Sequence, residues 1–274
     1  MKKLLKTFVL MLLVIPVAMV MTACGRNRNN NDNDISIHFG TYELEMIRVI
    51  EDIGPSQTVT EIFKEDIVGS FQTVNINGHF VGNVFPVMRL TRDGLFLGTA
   101  TTNYGVADFE IKGNVLIQIN SVGNGIFYVI DNGRLSLRIA TNGGVMLLDY
   151  VKQGITNTQT PLQNFYGNWS IEKLLVIENQ TIRELNETEL KAIAELYFLH
   201  DAFDINTEFR NNGRMITTSP RDGNNLDTTF EIIGNSVIAN VPTGPNGYVL
   251  VGNRIFSSTL LIGDLSLLMV LTRV

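Results

Sequence analysis

The sequence predicts an all-β protein made of two tandem, eight-stranded antiparallel barrels, with one short helix in each repeat. Three observations support this fold class. One sequence pattern occurs twice, apolar and polar residues alternate in short stretches, and Gly, Asn and Asp are frequent between those stretches. Alternation with a period of two is typical of strands with one buried face, and turn residues at short intervals are typical of antiparallel sheets.

The two halves of the chain share motifs in the same order. Gly40-Thr41-Tyr42 recurs as Gly167-Asn168-Trp169, 127 positions later, and Phe109-Glu110-Ile111 recurs as Phe230-Glu231-Ile232 at a spacing of 121. Because order and spacing are kept, the pattern indicates a duplication, and two copies are too few for a solenoid. Each copy is therefore expected to fold around its own core. The predicted domain ranges are 36–153 and 163–274.

The first strand of each repeat is predicted to have one apolar face. The apolar positions are Tyr42, Leu44, Met46 and Ile50 in the first repeat, and Trp169, Ile171, Leu175 and Ile177 in the second. Glutamates occupy many of the alternate positions. Arg48 and Lys173 interrupt the apolar faces, and the alternation does not explain them.

A helix is predicted after the first strand of each repeat. In the first repeat, Thr58-x-x-Glu61 precedes apolar residues at helical spacing, and Gly69 is a plausible stop. In the second, Asn186-x-x-Glu189 resembles a capping box and precedes Leu190, Ile193, Ala194 and Tyr197. We expect both apolar stripes to pack on the core, with a partner-binding face as the alternative.

Further strands complete the predicted barrels. The first repeat has an additional hairpin over residues 71–84, with Asn77-Gly78 at its tip. Together with the first strand, seven more give the second repeat about eight, the number that closes a small barrel. These seven are predicted around Thr207–Arg210, Arg214–Thr218, Thr228–Ile233, Ser236–Val241, Tyr248–Val251, Ile255–Thr259 and Leu265–Thr272.

The N-terminal segment has the layout of a secretory signal peptide. Three lysines are followed by an apolar run from Phe8 to Met21 and then by small Thr22 and Ala23. A transmembrane anchor is the alternative, but the run is shorter than the roughly 20 residues that a span needs, and Pro16 interrupts it. We therefore predict a signal peptide over residues 1–23.

The segment Met21-Thr22-Ala23-Cys24 resembles the lipobox of bacterial lipoproteins. The resemblance implies that Cys24, the only cysteine of the chain, is lipidated and becomes the first residue after cleavage. The protein would then be anchored in a membrane on its extracytoplasmic side. Residues 24–35 are predicted to form a polar tether, since the asparagine-rich stretch up to Asp34 offers no apolar residue to bury.

The charge of the chain argues against nucleic acid as a partner. Without residues 1–23 the chain loses three lysines and no acid, which leaves 18 basic and 27 acidic residues and a net charge of −9. An acidic surface repels both nucleic acid and anionic lipid headgroups. The membrane is therefore expected to be reached through the lipid on Cys24.

The predicted barrels resemble the lipocalin-like domains of bacterial envelope proteins. Lipocalins carry Gly-x-Trp at the start of the first strand, as in Gly167-Asn168-Trp169, and a basic residue near the end of the last strand, where Arg273 stands. Gly40-Thr41-Tyr42 and Lys152 hold the corresponding places in the first repeat. The resemblance implies that Arg273 and Lys152 lie across Trp169 and Tyr42 at the closed ends of the barrels. It also implies an interior able to hold one small apolar ligand.

The sequence favours a binding protein over an enzyme. The histidines, His38, His79 and His200, lack metal-site spacing, and neither a nucleophile elbow nor a dinucleotide loop is present. We therefore predict no catalytic residue, metal or cofactor. The predicted function is a lipid-anchored envelope protein that binds a small apolar ligand or another envelope protein. The alternative is a structural or interaction module whose barrels are filled by their own side chains.

Overall fold

The structure is a computed structural model, and its described residues fall in one compact unit, Ile35–Val274. The described ranges are 35–51, 57–67, 71–119, 125–141, 144–155, 162–178, 181–185, 189, 206–218, 225–233, 236–241, 244–262 and 265–274. Cys24, the predicted signal peptide and nearly all of the tether lie outside them, as does the predicted second-repeat helix apart from Glu189. In the described part of the chain, no helix is long and apolar enough to span a membrane.

The first repeat forms a closed barrel. Its described strands are β1 (Gly40–Glu51), β2 (Thr58–Phe63), β3 (Gln72–Ile76), β4 (His79–Val84), β5 (Val87–Thr91), β6 (Gly94–Gly98), β7 (Asn103–Lys112), β8 (Val115–Ile119), β9 (Gly125–Asp131), β10 (Arg134–Thr141) and β11 (Gly144–Lys152). Antiparallel pairing runs from β1 through β5–β11 in order and returns from β11 to β1, which closes eight strands into barrel 1. All eight place side chains in or against one apolar core.

The second repeat closes in the same way. Its described strands are β12 (Gly167–Glu178), β13 (Thr181–Leu185), β14 (Asn206–Phe209), β15 (Arg214–Thr218), β16 (Asn225–Ile233), β17 (Ser236–Val241), β18 (Gly244–Val251), β19 (Arg254–Ser257), β20 (Thr259–Ile262) and β21 (Leu265–Arg273). Barrel 2 is closed by eight strands, β12, β14–β19 and β21, with β21 pairing back to β12. Strand β20 follows β19 and pairs with the other part of β21. The fold class and the strands predicted for this repeat are confirmed.

The additional hairpin of the first repeat is also confirmed. Strands β3 and β4 pair in a two-stranded sheet of their own, joined by Asn77 and Gly78, which both have positive φ. Positive φ at both central residues is the geometry of the tight turns that Asn-Gly favours. The hairpin covers one end of barrel 1, because Val74, Ile76 and Val84 are buried in the barrel 1 core.

The helix predicted after the first strand of the first repeat is wrong. Thr58–Phe63 is strand β2, which pairs with β1, and within the described residues the 3-10 turn Lys64–Asp66 follows it. The other described 3-10 helices, Ile35–His38 and Leu162–Phe165, precede β1 and β12. Thr58–Phe63 contains two threonines, a valine and an isoleucine, and pairing with the long β1 overrides the helical spacing.

The predicted faces of the first strands are correct only for their first halves. The register of β1 shifts between Leu44 and Met46, and that of β12 shifts between Ile171 and Lys173. One extra residue reverses the inward and outward positions, since side chains alternate with a period of two. The core of barrel 1 therefore receives Ile47 and Val49, whereas Ile50 belongs to an apolar cluster outside that core. The bulges also explain why Arg48 and Lys173 interrupt the pattern.

The same ion pair occurs at both bulges. Glu45, the extra residue of β1, accepts from Arg134 Nη1 at 2.7 Å, and Glu172, the extra residue of β12, accepts from Arg254 Nε at 2.6 Å. Arg134 and Arg254 follow corresponding turns of the two repeats. A bulge turns its extra side chain away from the strand's regular pattern, so both glutamates reach an arginine on the outer face of their own barrel.

The outer faces of the two barrels pack together along what we call the barrel seam. Strand β10 pairs in parallel with β20 through Ile139 opposite Thr259 and Ala140 opposite Leu260, so both barrels belong to one 19-stranded sheet. Buried apolar residues from both repeats form a shared cluster there: Val115, Ile117, Phe127, Val129, Leu175, Ile177, Val249, Val251, Phe256, Leu268 and Val270. Leu175 and Ile177, predicted to face the core of their own barrel, lie in this seam instead.

Candidate functional site

Trp169 and Arg273 meet at the base of barrel 2. They are directly opposite each other on β12 and β21, and the Arg273 guanidinium carbon lies 4.9 Å from the centroid of the fully buried indole. The indole nitrogen donates to the Phe165 carbonyl oxygen at 2.8 Å, and Arg273 Nη2 donates to the carbonyl oxygens of Asn164 and Tyr166. These contacts hold the 3-10 helix Leu162–Phe165 across the base.

The base of barrel 1 repeats this arrangement with different residues. Tyr42 is opposite Lys152, and its hydroxyl donates to the His38 carbonyl oxygen at 2.7 Å. Lys152 Nζ donates at 2.8 Å to the carbonyl oxygen of Ile37, which corresponds to Asn164 in the second repeat. Both sites thus use a buried aromatic residue and a basic side chain to fasten a 3-10 turn.

Glycine is required beside each basic side chain. Gly40 has a φ of +149°, and a Cβ there would lie 2.6 Å from Lys152 Cε. Gly167 has a φ of +130°, and a Cβ there would lie 3.9 Å from Arg273 Cζ. L side chains rarely adopt such φ values, and only a glycine lets Lys152 pass so close to the backbone. The Gly-x-aromatic motif therefore serves the closed end of each barrel.

The base of barrel 2 is also an aromatic cluster. The Phe209 ring packs edge-on against Phe165, Phe230 and Tyr248, with ring centroids 6.1, 5.4 and 5.6 Å away. Edge-to-face packing of this kind adds about 0.5–1.5 kcal/mol per pair to the burial of the rings. Each of the eight strands contributes a buried residue to this core.

The interior of barrel 1 contains polar groups that are satisfied internally. Tyr128 donates to Gln118 Oε1 at 3.2 Å, and Tyr150 donates to the Phe85 carbonyl oxygen at 2.9 Å. Burial raises the pKa of both tyrosines far above its usual value, and their proximity to each other raises the pKa of Tyr150 further. Burial also raises the pKa of Tyr42 to about 12. All three phenols are therefore neutral at physiological pH.

The hairpin closes the opposite end of barrel 1. It contributes Val74, Ile76 and Val84 to the core, and a Cβ on Gly144 would lie only 2.3 Å from Ile76 Cγ2. The backbone N–H of Asn77 donates to Glu51 Oε1 at 2.5 Å. The hairpin thus contacts the barrel through apolar side chains and through one backbone N–H that bonds to Glu51.

Three aromatic rings lie beside this closed end, and we call them the rim aromatics (Phe71, Phe85 and Tyr104). Phe71 precedes the hairpin, Phe85 follows it, and Tyr104 is on β7. The ring centroids of Phe71 and Phe85 are 5.8 Å apart, and those of Phe85 and Tyr104 are 6.4 Å apart. Phe71 is 41% exposed and Tyr104 is 52% exposed, so the row faces solvent at both ends.

Arg138 crosses from barrel 1 to barrel 2 within the seam. Its Nη2 donates to both carboxylate oxygens of Asp149, at 2.9 and 3.1 Å, and its Nε donates to Ser236 Oγ at 2.7 Å. Burial alone would raise the pKa of Asp149, but the guanidiniums of Arg138 and Arg134 outweigh it and hold the pKa below its ordinary value. Arg138 and Asp149 are therefore a charged pair of barrel 1, and the bond from Arg138 to Ser236 links this pair to barrel 2.

The base residues are predicted from the sequence, whereas the seam, the hairpin contacts and the rim aromatics are not. Trp169, Arg273, Tyr42 and Lys152 lie where the motifs place them, at the bases, whereas Cys24 lies outside the described residues. The seam does have a sequence signal. Continuous apolar runs such as Val115-Leu116-Ile117 indicate strands buried on both faces. Among the described residues, no cluster of three or more His, Cys, Asp or Glu side chains is placed to hold a metal ion.

The chain was compared with family models, curated proteins and solved structures. No family model and no curated protein matches it. Among the solved structures that are similar to the chain is one that covers 86% of this chain and 96% of its own, with a TM-score of 0.27 and 10% sequence identity. It is a protein of unknown function of the DUF3598 family from Nostoc punctiforme PCC 73102.

Proposed function

We propose that the chain is a lipid-anchored, non-enzymatic binding protein of the extracytoplasmic cell envelope, and that it binds through the outer surface of lipocalin-like barrels. The lipobox-like segment ending at Cys24 supports the anchor, and the polar stretch after it supports a tether. With its lipid attached, Cys24 would hold the barrels at a membrane surface, where stable anchoring needs more than one acyl chain.

One observation carries the choice of the outer surface. The hairpin places Val74, Ile76 and Val84 in the same apolar core to which all eight strands of barrel 1 contribute. A small barrel filled by its own side chains offers a rigid support for surface residues. The polar groups of this interior bond to one another or to backbone, which supports a structural role for them.

The anchor is tested with Cys24→Ser expressed in a bacterial host. Wild-type protein is expected to stay with the membranes after carbonate washing and to incorporate labelled palmitate. The Cys24→Ser variant is expected to do neither, because its side chain cannot form the thioether. Carbonate-resistant membrane retention of the variant would contradict lipid anchoring.

A second candidate function is the binding of a small apolar ligand inside barrel 1. It is favoured by the separate sheet of the hairpin, whose described backbone pairs belong to β3 and β4 alone. Displacement of the hairpin would open an apolar interior with the Tyr128 hydroxyl and the Gln118 amide as polar groups for a ligand headgroup.

A disulfide lock distinguishes the two functions. An ideal Cβ on Gly144 lies 3.6 Å from Ile76 Cβ, within the range of disulfides, so the double variant Gly144→Cys/Ile76→Cys can tie the hairpin to β11. If the interior binds ligand, a fluorescent fatty acid is taken up by the reduced form and rejected by the oxidised form. If binding is confined to the outer surface, neither form takes up the probe.

A further inference from the structure

The rim aromatics form a continuous row in which Phe71 and Tyr104 are exposed and Phe85 is partly buried. Phe85 lies between the other two rings, nearly parallel to Tyr104 at 27° and tilted by 56° from Phe71. Single exposed apolar side chains are ordinary on a protein surface, whereas adjoining exposed aromatic rings commonly mark a binding surface.

The row is held in place before any ligand binds. The carbonyl oxygen of Phe85 accepts from the buried Tyr150 hydroxyl at 2.9 Å, and that of Pro86 accepts from the Leu44 N–H at 2.9 Å. On the other side, the turn leading to Tyr104 is closed by Thr99 N–H donating to the Thr102 carbonyl oxygen at 2.8 Å. A surface ordered in advance loses little conformational entropy on binding.

The two segments that carry the rings contain no fixed charge. Residues 67–88 and 94–107, which contain all three rings, include no Lys, Arg, Asp or Glu, although 18% of the whole chain is charged. Several exposed residues of these segments have hydroxyl or amide side chains, alongside the exposed apolar Val106. The hydroxyl and amide residues are Thr73, Asn83, Thr101, Thr102 and Asn103.

This chemistry discriminates between classes of ligand. Nucleic acid requires cationic side chains along its backbone, and none is present in these two segments. An apolar protein partner favours an uninterrupted apolar surface, whereas hydroxyls and amides flank these rings. A sugar ring matches both features, because its C–H face packs on an aromatic ring while its hydroxyls exchange hydrogen bonds with amide and hydroxyl groups.

We propose that the rim aromatics bind neutral polysaccharide built of hexopyranose units. Phe85 and Tyr104 provide adjoining platforms for successive sugar rings, and Phe71 forms the tilted side of the site. Asn103 and the threonines of the adjacent turn supply hydrogen bonds to the sugar hydroxyls. This proposal rests on the proposed function, since it names the ligand of the outer surface.

The test measures binding of cellotetraose and chitotetraose to the full chain by isothermal titration calorimetry, in a detergent without a sugar headgroup. Wild type is expected to bind at least one of them and to bind tetragalacturonic acid more weakly, because the segments that carry the rings contain no cation. Tyr104→Ala and Phe71→Ala are each expected to weaken binding by about tenfold, the loss typical of an aromatic anchor. Phe63→Ala is the matched control, since Phe63 on β2 is 45% exposed and outside the row.

Two results would overturn the polysaccharide site. The first is that wild type binds neither of the two neutral tetramers. The other is an equal loss of affinity in Phe63→Ala and Tyr104→Ala, which would mean that exposed aromatic area is bound without regard to place. Neither result alters the carbonate extraction of Cys24→Ser or the uptake of fatty acid by the disulfide variant, so failure of this site is separable from failure of the anchor or of interior binding.

Discussion

The guanidinium carbon of Arg273 lies 4.9 Å from the centroid of the Trp169 indole, across the closed end of barrel 2. Arg273 comes from the last strand of the repeat and Trp169 from the first, so their contact joins the two strands at which barrel 2 closes. In barrel 1, Lys152 and Tyr42 occupy the same two strand positions and reach the backbone of the preceding 3-10 turn. In both repeats an aromatic and a basic residue thus hold the preceding 3-10 turn at the base, although both side chains differ between the repeats.

Loss of the Trp169 ring is expected to destabilise the protein strongly. Trp169→Ala removes a fully buried side chain and its bond to Phe165, and is expected to lower the free energy of unfolding by about 3–5 kcal/mol. Circular dichroism during guanidinium unfolding of the compact unit measures this, and Phe63→Ala serves as the exposed aromatic control. A midpoint close to that of the control would mean that Trp169 does not support the base.

Removal of the Arg273 charge is expected to have a smaller effect. Arg273→Gln abolishes the cation–π contact, which contributes about 0.5–2 kcal/mol. Trp169 is the only tryptophan of the chain, so its fluorescence reports on this contact directly. A shifted emission maximum together with a modestly lower unfolding midpoint is expected. An unchanged spectrum would show that the guanidinium does not lie over the indole in solution.

Arg138 and Asp149 are expected to stabilise the protein only as a pair. Arg138→Met leaves the buried Asp149 without its closest cation and is expected to cost about 3–5 kcal/mol. The double variant Arg138→Met/Asp149→Leu is expected to recover much of that loss, since no unpaired charge remains. Arg210→Ala, which removes an exposed ion pair with Glu208, is the control and should leave the midpoint unchanged. If the loss of stability in the double variant equalled the sum of the losses in Arg138→Met and Asp149→Leu, the two residues would not be coupled.

A side chain at residue 144 is expected to disturb the packing of the hairpin on barrel 1. Gly144→Ala places a methyl group 2.3 Å from Ile76 Cγ2 and 3.0 Å from the Ile50 carbonyl oxygen, so the hairpin must move outward. Hydrogen exchange of the β3–β4 amides is expected to accelerate. Gly82→Ala is the matched control within the hairpin, because nothing lies within 4 Å of a Cβ there. Equal exchange in both variants would show that Gly144 does not limit the hairpin.

His38 is expected to make stability depend on pH. Burial, and then the charge of Lys152, lower the pKa of His38 below 6.5, so the unfolded chain binds its proton more readily than the folded chain does. Stability from this group is therefore present above about pH 6.5 and lost as the pH falls below it. Unfolding midpoints measured from about pH 7 to about pH 5 should decline less steeply in His38→Gln than in wild type. Identical slopes would exclude His38 as the source.

Patterns along the chain were sufficient for the architecture. The recurrence of Gly-x-aromatic with a basic residue near the end of the repeat located the bases, because those motifs need only strand order to bring Trp169 to Arg273 and Tyr42 to Lys152. Asn77-Gly78 located the hairpin, because a two-residue turn with positive φ is a local property of the backbone. The helix predicted from Thr58-x-x-Glu61 is wrong, because a short helical pattern does not outweigh pairing with a long neighbouring strand.

The sequence by itself determined the duplication, the all-β class and the residues of the two bases, since each is encoded in periodicity or in a short motif. Only the tertiary structure decided which face each side chain takes and what it meets. Extra residues at Glu45 and Glu172 reverse the alternation, and this turns Ile50, Leu175 and Ile177 from the predicted cores toward other clusters. The seam, the hairpin contacts and the row of Phe71, Phe85 and Tyr104 likewise join distant parts of the chain. Such contacts depend on how closed sheets pack in space, and no local spacing specifies them.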